Sequence, residues 1–301
     1  MKSIIPFGIG FLVSLWMIPW MKKLSLRFGY LDRSEGNPLK IHQWPIPHSG
    51  GFVFFATVSL FIVISFALGE CHGFKPMGLL LGSGVAFGLG VWADLKTAIP
   101  YLRFIGQTLA GVILILFGTQ IETVLFIAIP LTIFYVVGAM NAINMEDGLD
   151  GLAGGVALIS LVGFSFLSAL RGESFGVTLA SLLTGLLLGF LFYNFHPSSI
   201  FMGDNGSYFL GFILAYLAVT VTSLDHFSTF LGPILIIGAP VFEAAHAILR
   251  RLKKGVPLFT GDRSHFYDQL TQKGLTVRQT VLLCWGIQVI LVGTGMWVYF
   301  L

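Results

Sequence analysis

Ten runs of mostly apolar residues constrain this chain more than any other feature of its sequence. They cover approximately 4–20, 50–69, 77–93, 102–118, 123–140, 152–170, 175–195, 206–223, 228–249 and 280–301. Each run, wound as an α-helix, is about as long as the hydrocarbon core of a bilayer is thick. Backbone groups in a bilayer must satisfy their own hydrogen bonds, so runs of this length are typical of spanning helices. We therefore predict an all-α integral membrane protein with about ten transmembrane helices, forming a single polytopic domain over 1–301.

Composition agrees with this class. Hydrophobic residues make up 55% of the chain and charged residues 10%, and the mean hydropathy is +0.87, which excludes an ordinary soluble surface. The net charge of +3 is too small to indicate a nucleic-acid partner.

Cys71 and Cys284 are far apart and fit no metal or redox spacing. Lys22 and Lys23 follow the first run without a convincing cleavage site, so we interpret that run as a retained helix.

The charge distribution predicts an orientation. Ten spans place the loops at about 21–49, 94–101, 141–151, 196–205 and 250–279 on one side, and this side, with Arg103 just after the second loop, holds fourteen of the 17 Lys and Arg residues. By the positive-inside rule this side is cytoplasmic and both termini are extracytoplasmic. Nine of the 14 acids lie in the same loops, so we predict an active site on the cytoplasmic face.

The loop at 141–151 has the densest polarity in the chain. Asn141, Asn144, Asp147 and Asp150 are spaced three residues apart, which predicts one shared face on a helical end. A row of amide and carboxylate oxygens suits a hard cation such as Mg²⁺, whose remaining partners are commonly substrate phosphates. Helix caps and turns would explain one of the aspartates, but not four polar residues in register.

Three other loops carry candidate residues. Asp94 directly follows the third run, where a solvated helix end is the simpler interpretation. Asp204 stands in a glycine-flanked turn before an apolar run, and it would serve equally as an N-cap. The first loop contains Lys40 and His42 among prolines and glycines, and it either presents Lys40 and backbone N–H groups to a phosphate or is only a junction between helices.

The last cytoplasmic loop follows a helix end on which Glu243, His246 and Arg250 share one face, as in an internal ion-pair ladder. The loop itself concentrates Arg263 and His265 with acids and aromatics, an arrangement suited to closing over a nucleotide. Five such loops on one face favour a site that handles polyphosphates with a divalent metal.

The order of these motifs resembles a known family, the polyprenyl-phosphate N-acetylhexosamine-1-phosphate transferases, over nearly the whole chain. The motifs are Lys40-x-His42-x-x-Pro45-x-Pro47-x-x-Gly50-Gly51, Asn141-Ala-x-Asn144-x-x-Asp147-Gly-x-Asp150-Gly-Leu-Ala, Phe201-Met-Gly203-Asp204-x-Gly206-Ser207 and the segment around His265. The resemblance implies a plasma-membrane enzyme that transfers a sugar-1-phosphate from a UDP-N-acetylhexosamine to a polyprenyl phosphate, undecaprenyl phosphate, and releases UMP. It also implies a role in the first membrane step of a cell-envelope glycan pathway.

The resemblance further implies residue roles. Asn144 and Asp204 would bind Mg²⁺, with Mn²⁺ as the alternative cation. Asp94, Asp147 and Asp150 would be the catalytic carboxylates, the last two positioning the nucleotide sugar. The implied substrate-binding residues are Lys40, His42, Asn141, Arg263 and His265. A homodimer is left open.

Two departures from the family pattern matter. The family has two adjacent aspartates where this chain has Ala93-Asp94. The first of them has been proposed to act on the acceptor phosphate, so a catalytically silent relative that binds polyprenyl phosphate, or scaffolds a glycan-assembly complex, is the alternative. The peptidoglycan branch has a run of histidines where this chain has His265-Phe-Tyr, which favours UDP-N-acetylglucosamine over a muramoyl-pentapeptide donor. A secondary transporter is disfavoured because the acids gather at one surface.

Overall fold

The computed structural model describes residues 3–33, 44–96, 99–257 and 263–301. The described chain is almost entirely helical, with one two-stranded pairing. Its elements are α1 (Ile4–Phe28), β1 (Leu31–Asp32), β2 (Ile46–Pro47), α2 (Gly50–Ala67), α3 (Lys75–Leu95), α4 (Pro100–Leu116), α5 (Leu125–Glu146), α6 (Leu152–Leu170), α7 (Ser174–Asn194), α8 (Gly203–Val221), α9 (Phe227–Ile236), α10 (Gly238–Lys254), α11 (Phe266–Gln272) and α12 (Val277–Tyr299).

Eight helices of the described chain are long and apolar enough to cross a membrane: α1, α2, α3, α5, α6, α7, α8 and α12. The prediction of an all-α, multi-pass membrane protein is therefore confirmed. The predicted span at 102–118 is the shorter apolar helix α4, which has 17 residues. Length and composition thus support eight spans, or nine if α9 and α10 together form one.

The prediction of one continuous span over 228–249 is wrong, because α9 and α10 meet at an angle of 87°. Pro240 has no N–H group, so it cannot donate the helical hydrogen bond that the Ile236 carbonyl would accept. Gln288 of α12 replaces that bond, donating from Nε2 to Ile236 O over 2.7 Å and accepting from Ala239 N–H over 3.0 Å. A buried amide thus satisfies both sides of the break.

Helix α8 is the central element of the bundle. The apolar window of α8 is 89% buried, whereas that of α1 is 17% buried, and α8 packs against α2, α3, α5 and α6. Tyr208, Phe209 and Phe212 fill its surroundings. Gly51 of α2 and Gly90 of α3 have no room for a Cβ because the α8 backbone lies against them. The first turn of α8 is therefore held closely by two neighbouring helices.

The connections at one end of the bundle are tied together by backbone hydrogen bonds. β1 pairs antiparallel with β2, with Leu31 opposite Pro47. The segment after β2 then pairs with the entry to α8: Phe201 N–H donates to Pro47 O (2.7 Å), and Gly50 N–H donates to Phe201 O (3.0 Å). The first loop and the α7–α8 connection thus meet at this end of the bundle, and the candidate active site lies there.

Candidate active site

A cavity of about 670 Å³ opens at this end, between the termini of α3, α5 and α8. Its lining brings together four of the predicted aspartates, Asp94, Asp147, Asp150 and Asp204. Ala93 lines the same cavity. Residues up to 110 positions apart in sequence therefore meet in one site, as the convergence of the loops predicted.

Asp204 lies between an amide and a guanidinium. Asn144 of α5 donates from Nδ2 to Asp204 Oδ1 over 2.8 Å, and also to Ser207 Oγ over 3.0 Å. Arg103 of α4 places a terminal nitrogen 3.5 Å from Asp204 Oδ2, with about a third of each side chain exposed. Asn144 and Asp204, the two residues that the resemblance assigned to a metal, are thus in direct contact. The guanidinium of Arg103 lies beside them, and the sequence analysis did not assign Arg103 to the site.

Asp147 follows the last residue of α5 and lines the cavity. Burial raises the pKa of this carboxyl well above its ordinary value, and the charges of Asp204 and then Asp94 raise it further. Asp94, Asp150 and Asp204 line the same cavity. A cation close to these carboxylates would favour the ionised form of Asp147.

The prediction that Asn141, Asn144, Asp147 and Asp150 share one helical face is wrong beyond Glu146, because α5 ends there. The side chains diverge: Asn141 Nδ2 donates to Gln107 Oε1 of α4 over 2.7 Å, and it is not among the cavity-lining residues. Asp150 Oδ2 accepts from Ser198 N–H at 3.0 Å and lies 2.7 Å from His196 Nδ1. Asp150 therefore joins the α5–α6 turn to the α7–α8 connection at the rim of the cavity.

Asp94 faces the first turn of α8. Its Oδ1 accepts from Asp204 N–H at 2.8 Å, and its Oδ2 accepts from Asn205 N–H at 3.1 Å. The Tyr30 hydroxyl donates to the same Oδ2 at 2.9 Å, and His48 Nδ1 lies 4.0 Å from Oδ1. The carboxylate of Asp94 thus connects α3 to the start of α8 and to the end of the α1 segment.

Arg263 and His265 are not among the cavity-lining residues. His265 Nδ1 lies 2.8 Å from Glu243 Oε1, and Phe266 N–H donates to the other oxygen of Glu243 at 3.0 Å. Arg263 forms an ion pair with Asp268 at 3.4 Å. Their substrate-binding roles stay predictions. The predicted substrate-binding residues Lys40 and His42 lie outside the described residues.

Three site residues escaped sequence reasoning. Arg103 lies near the start of α4 and one helical turn before Gln107, a spacing that could have drawn attention to it. His196 immediately precedes Pro197 in a short polar connection. Tyr267 donates to Met145 O at 3.0 Å, and its ring stacks on His265 with centroids 5.3 Å apart, so α11 supports the α5–α6 turn from behind. No local signal marks that last contact.

The donor set of the cavity fits Mg²⁺. Asp204 and Asp147 line the cavity and supply carboxylate oxygens, which are hard ligands. Asn144 is not among the lining residues, but it is in direct contact with Asp204, so its amide oxygen is the nearest additional hard ligand of the predicted set. The described residues contain no group of three or more His, Cys, Asp or Glu side chains able to hold a metal ion. One or two carboxylates suffice for Mg²⁺ when substrate phosphates provide the other ligands. The four carboxylates that line the cavity are suited to a cation-binding site.

The fold and the cavity define a polytopic helical membrane protein with an acidic, arginine-containing pocket at one end of the bundle. Residues 76–222 match the family model described as glycosyl transferase family 4. A probable undecaprenyl-phosphate N-acetylglucosaminyl 1-phosphate transferase of Bacillus subtilis (strain 168) is 31% identical over 299 residues, covering 95% of this chain and 82% of that protein. The chain belongs to glycosyl transferase family 4.

Other relatives carry two different names. The phospho-N-acetylmuramoyl-pentapeptide-transferase of Thermoanaerobacter sp. (strain X514) is 31% identical over 317 residues, covering 96% of each chain. The decaprenyl-phosphate N-acetylglucosaminephosphotransferase of Mycobacterium leprae (strain TN) is 30% identical over 282 residues, covering 81% of this chain and 71% of that protein. The similarity therefore extends to proteins named for different sugars.

Proposed function

We propose that the protein transfers an N-acetylhexosamine-1-phosphate from a UDP-sugar to undecaprenyl phosphate and releases UMP, as the first membrane step of a cell-envelope glycan pathway. The relatives are named for sugar-phosphate transfer to polyprenyl phosphates or for phospho-N-acetylmuramoyl-pentapeptide transfer. The structural observation that carries the proposal is the meeting of Asp204, Asp147 and Arg103 at one cavity, where Asn144 donates a hydrogen bond to Asp204.

The reaction is a phosphoryl transfer between two anions. An acceptor phosphate oxygen forms a bond to the β-phosphorus of the donor as the bond from that phosphorus to the oxygen bridging it to the α-phosphate breaks. UMP leaves with the electron pair, and the C1–O bond of the sugar stays intact. Such a reaction needs neutralised charge and in-line positioning more than a covalent intermediate.

The cavity provides groups suited to both needs. Arg103 directs a guanidinium toward Asp204 at the cavity wall, and a guanidinium in this position suits phosphate oxygens. Asp204, Asn144 and Asp147 would hold Mg²⁺, or Mn²⁺ in its place. When bound, the cation would stabilise the negative charge that develops on the transferred phosphoryl group and on UMP.

N-acetylglucosamine is the proposed sugar. The chain has His265-Phe-Tyr at the segment where the resemblance placed a histidine run in the peptidoglycan branch. Two of the relatives described above are named for N-acetylglucosamine phosphate. A panel of UDP-sugars, with the lipid product measured by mass spectrometry, tests this choice directly.

The proposed arrangement in the plasma membrane has ten crossings. Eight are the long apolar helices, the ninth is α4, and the tenth is the bent pair α9–α10. The cavity would face the cytoplasm, and both termini the outside. The positive-inside distribution of Lys and Arg supports this orientation. A homodimer stays a prediction.

The proposal is tested by release of UMP from UDP-N-acetylglucosamine by purified protein with Mg²⁺ and undecaprenyl phosphate. We expect Asp204→Ala to abolish release, and the same rate in this variant would overturn the assignment of the site.

The second candidate is a catalytically silent polyprenyl-phosphate-binding protein, and it is favoured by Ala93 in the cavity wall. An inactive wild type together with an active Ala93→Asp variant would support this candidate.

A further inference from the structure

Asp94 caps a helix to which it does not belong. Helix α8 begins at Gly203, and the preceding residue, Met202, has no side-chain oxygen that could accept the first N–H groups. Asp94, near the end of α3, accepts from the N–H groups of Asp204 and Asn205, one on each carboxylate oxygen. An anion at this position also interacts favourably with the helix dipole.

Two side chains also donate to this carboxylate, both at Oδ2. Asn205 Nδ2 donates to Asp94 Oδ2 over 2.5 Å, beside the bond from the Tyr30 hydroxyl. Burial, and after it the charge of Asp94, raise the pKa of the Tyr30 phenol, so the hydroxyl stays a donor. An ionised carboxylate has about four lone-pair positions. Three of the four donors meet at Oδ2 and one at Oδ1, with His48 Nδ1 4.0 Å from Oδ1, and the Asp94 side chain is 6% exposed.

The packing between α3 and α8 keeps this contact short. Gly90, one helical turn before Asp94, has no room for a Cβ because the backbone of Asp204 and Asn205 lies against it. Gly203 adopts a φ of +74°, which allows the chain to turn into α8 directly beside Asp94. The distance from Asp94 to Asp204 is thus set by backbone contact between two helices.

We propose that Asp94 is a positioning residue for the transfer reaction, acting by holding the first turn of α8 so that the Asp204 carboxylate faces Asn144 and Arg103. The inference rests on the proposed function, because the transfer reaction is the proposed one. The contacts of Asp94 that support it are contacts between residues of this chain and do not depend on a substrate. Asp94 then neither binds the cation nor accepts a proton from the acceptor. Since the neighbouring position is Ala93, neither residue of this pair offers a free carboxylate to the acceptor phosphate.

The test compares Asp94→Asn, Asn205→Ser and a control, Glu70→Gln, which changes an exposed acid at the other end of the bundle. Asp94→Asn keeps one acceptor oxygen but places an amide against the donors of Asn205 and Tyr30. Asn205→Ser removes a donor and leaves the Asp94 carboxylate intact. Three quantities are measured in detergent: the thermal unfolding midpoint without metal, Mn²⁺ binding by electron paramagnetic resonance, and UMP release as a function of Mg²⁺.

We expect both site variants to unfold at lower temperature than wild type and to bind Mn²⁺ roughly tenfold more weakly. This fold-change corresponds to the free energy that is typically lost when a helix cap is removed. Their turnover at saturating Mg²⁺ should recover to within about tenfold of wild type, because the reacting groups are still present. The control should match wild type in all three measurements.

The proposal is overturned if Asp94→Asn unfolds and binds Mn²⁺ like wild type but loses turnover at saturating Mg²⁺. That result would place Asp94 on the substrate. A wild-type protein that releases no UMP from any UDP-sugar would instead remove the proposed function, and the unfolding and Mn²⁺ measurements would still decide the role of Asp94.

Discussion

Asn144 and Asp204, sixty positions apart, are joined side chain to side chain by a 2.8 Å hydrogen bond between α5 and α8. The amide nitrogen of Asn144 also reaches Ser207, one helical turn further along α8. This contact fixes the relative position of the two helices at the cavity, and it places the two predicted metal ligands together.

Asn144→Leu should lower UMP release by roughly 10²-fold, because it would remove the proposed amide ligand of the cation and the amide donor to Asp204. The concentration of Mg²⁺ for half-maximal activity should rise in the same variant. Gln288→Leu, which changes a buried amide at the α9–α10 break, is the matched control. It should lower the thermal midpoint while leaving the half-maximal Mg²⁺ concentration unchanged, and an equal shift in both variants would contradict the assignment.

Arg103→Ala should reduce turnover while changing the thermal unfolding midpoint little. The guanidinium is partly exposed, so its ion pair with Asp204 contributes little to folding. We expect a loss of roughly 10²-fold in kcat/KM and partial recovery in Arg103→Lys, which keeps the charge but not the bidentate geometry. Arg171→Ala is the control, because Arg171 is equally exposed and pairs with Glu122 at 3.7 Å near the opposite end. Similar kinetic losses in both arginine variants would refute a role in phosphate binding.

The raised pKa of Asp147 predicts a pH dependence of stability with a defined sign. An acid whose pKa is higher in the folded than in the unfolded state favours folding at low pH. That stability is lost as the pH rises from the ordinary aspartate value, about 3.9, through the folded pKa. The metal-free thermal midpoint should therefore fall over this interval, and Asp147→Asn should reduce the fall. Saturating Mg²⁺ should oppose it, and a midpoint that rises with pH in the metal-free protein would contradict the prediction.

Tyr267→Phe should lower turnover about fivefold, because it removes the 3.0 Å bond to Met145 O that supports the turn bearing Asp147. The control is Tyr193→Phe, which removes a bond of the same kind, from the hydroxyl to Leu15 O at 3.1 Å. Loss of turnover in Tyr193→Phe alone, or in neither variant, would show that the α11 contact does not matter for the reaction.

Local features of the sequence predicted the helices well and the helix breaks poorly. The apolar runs at 50–69 and 152–170 became α2 and α6, because their length and composition are local properties. The break near Ile237 was missed because its stability depends on Gln288, about fifty positions away in α12. The hairpin of Leu31–Asp32 with Ile46–Pro47 was missed for a related reason, since two-residue strands have no periodicity to detect.

The sequence by itself determined the class of the protein and indicated the loops that meet at the cavity, because hydropathy, charge bias and motif order depend on residues close together in the chain. The tertiary structure alone decided the partners of each polar group. In the folded chain Asp150 contacts His196, Asp94 accepts from the first turn of α8, and Arg103 pairs with Asp204. These pairings depend on how closely packed helices approach one another, and a linear pattern of residues does not specify that approach.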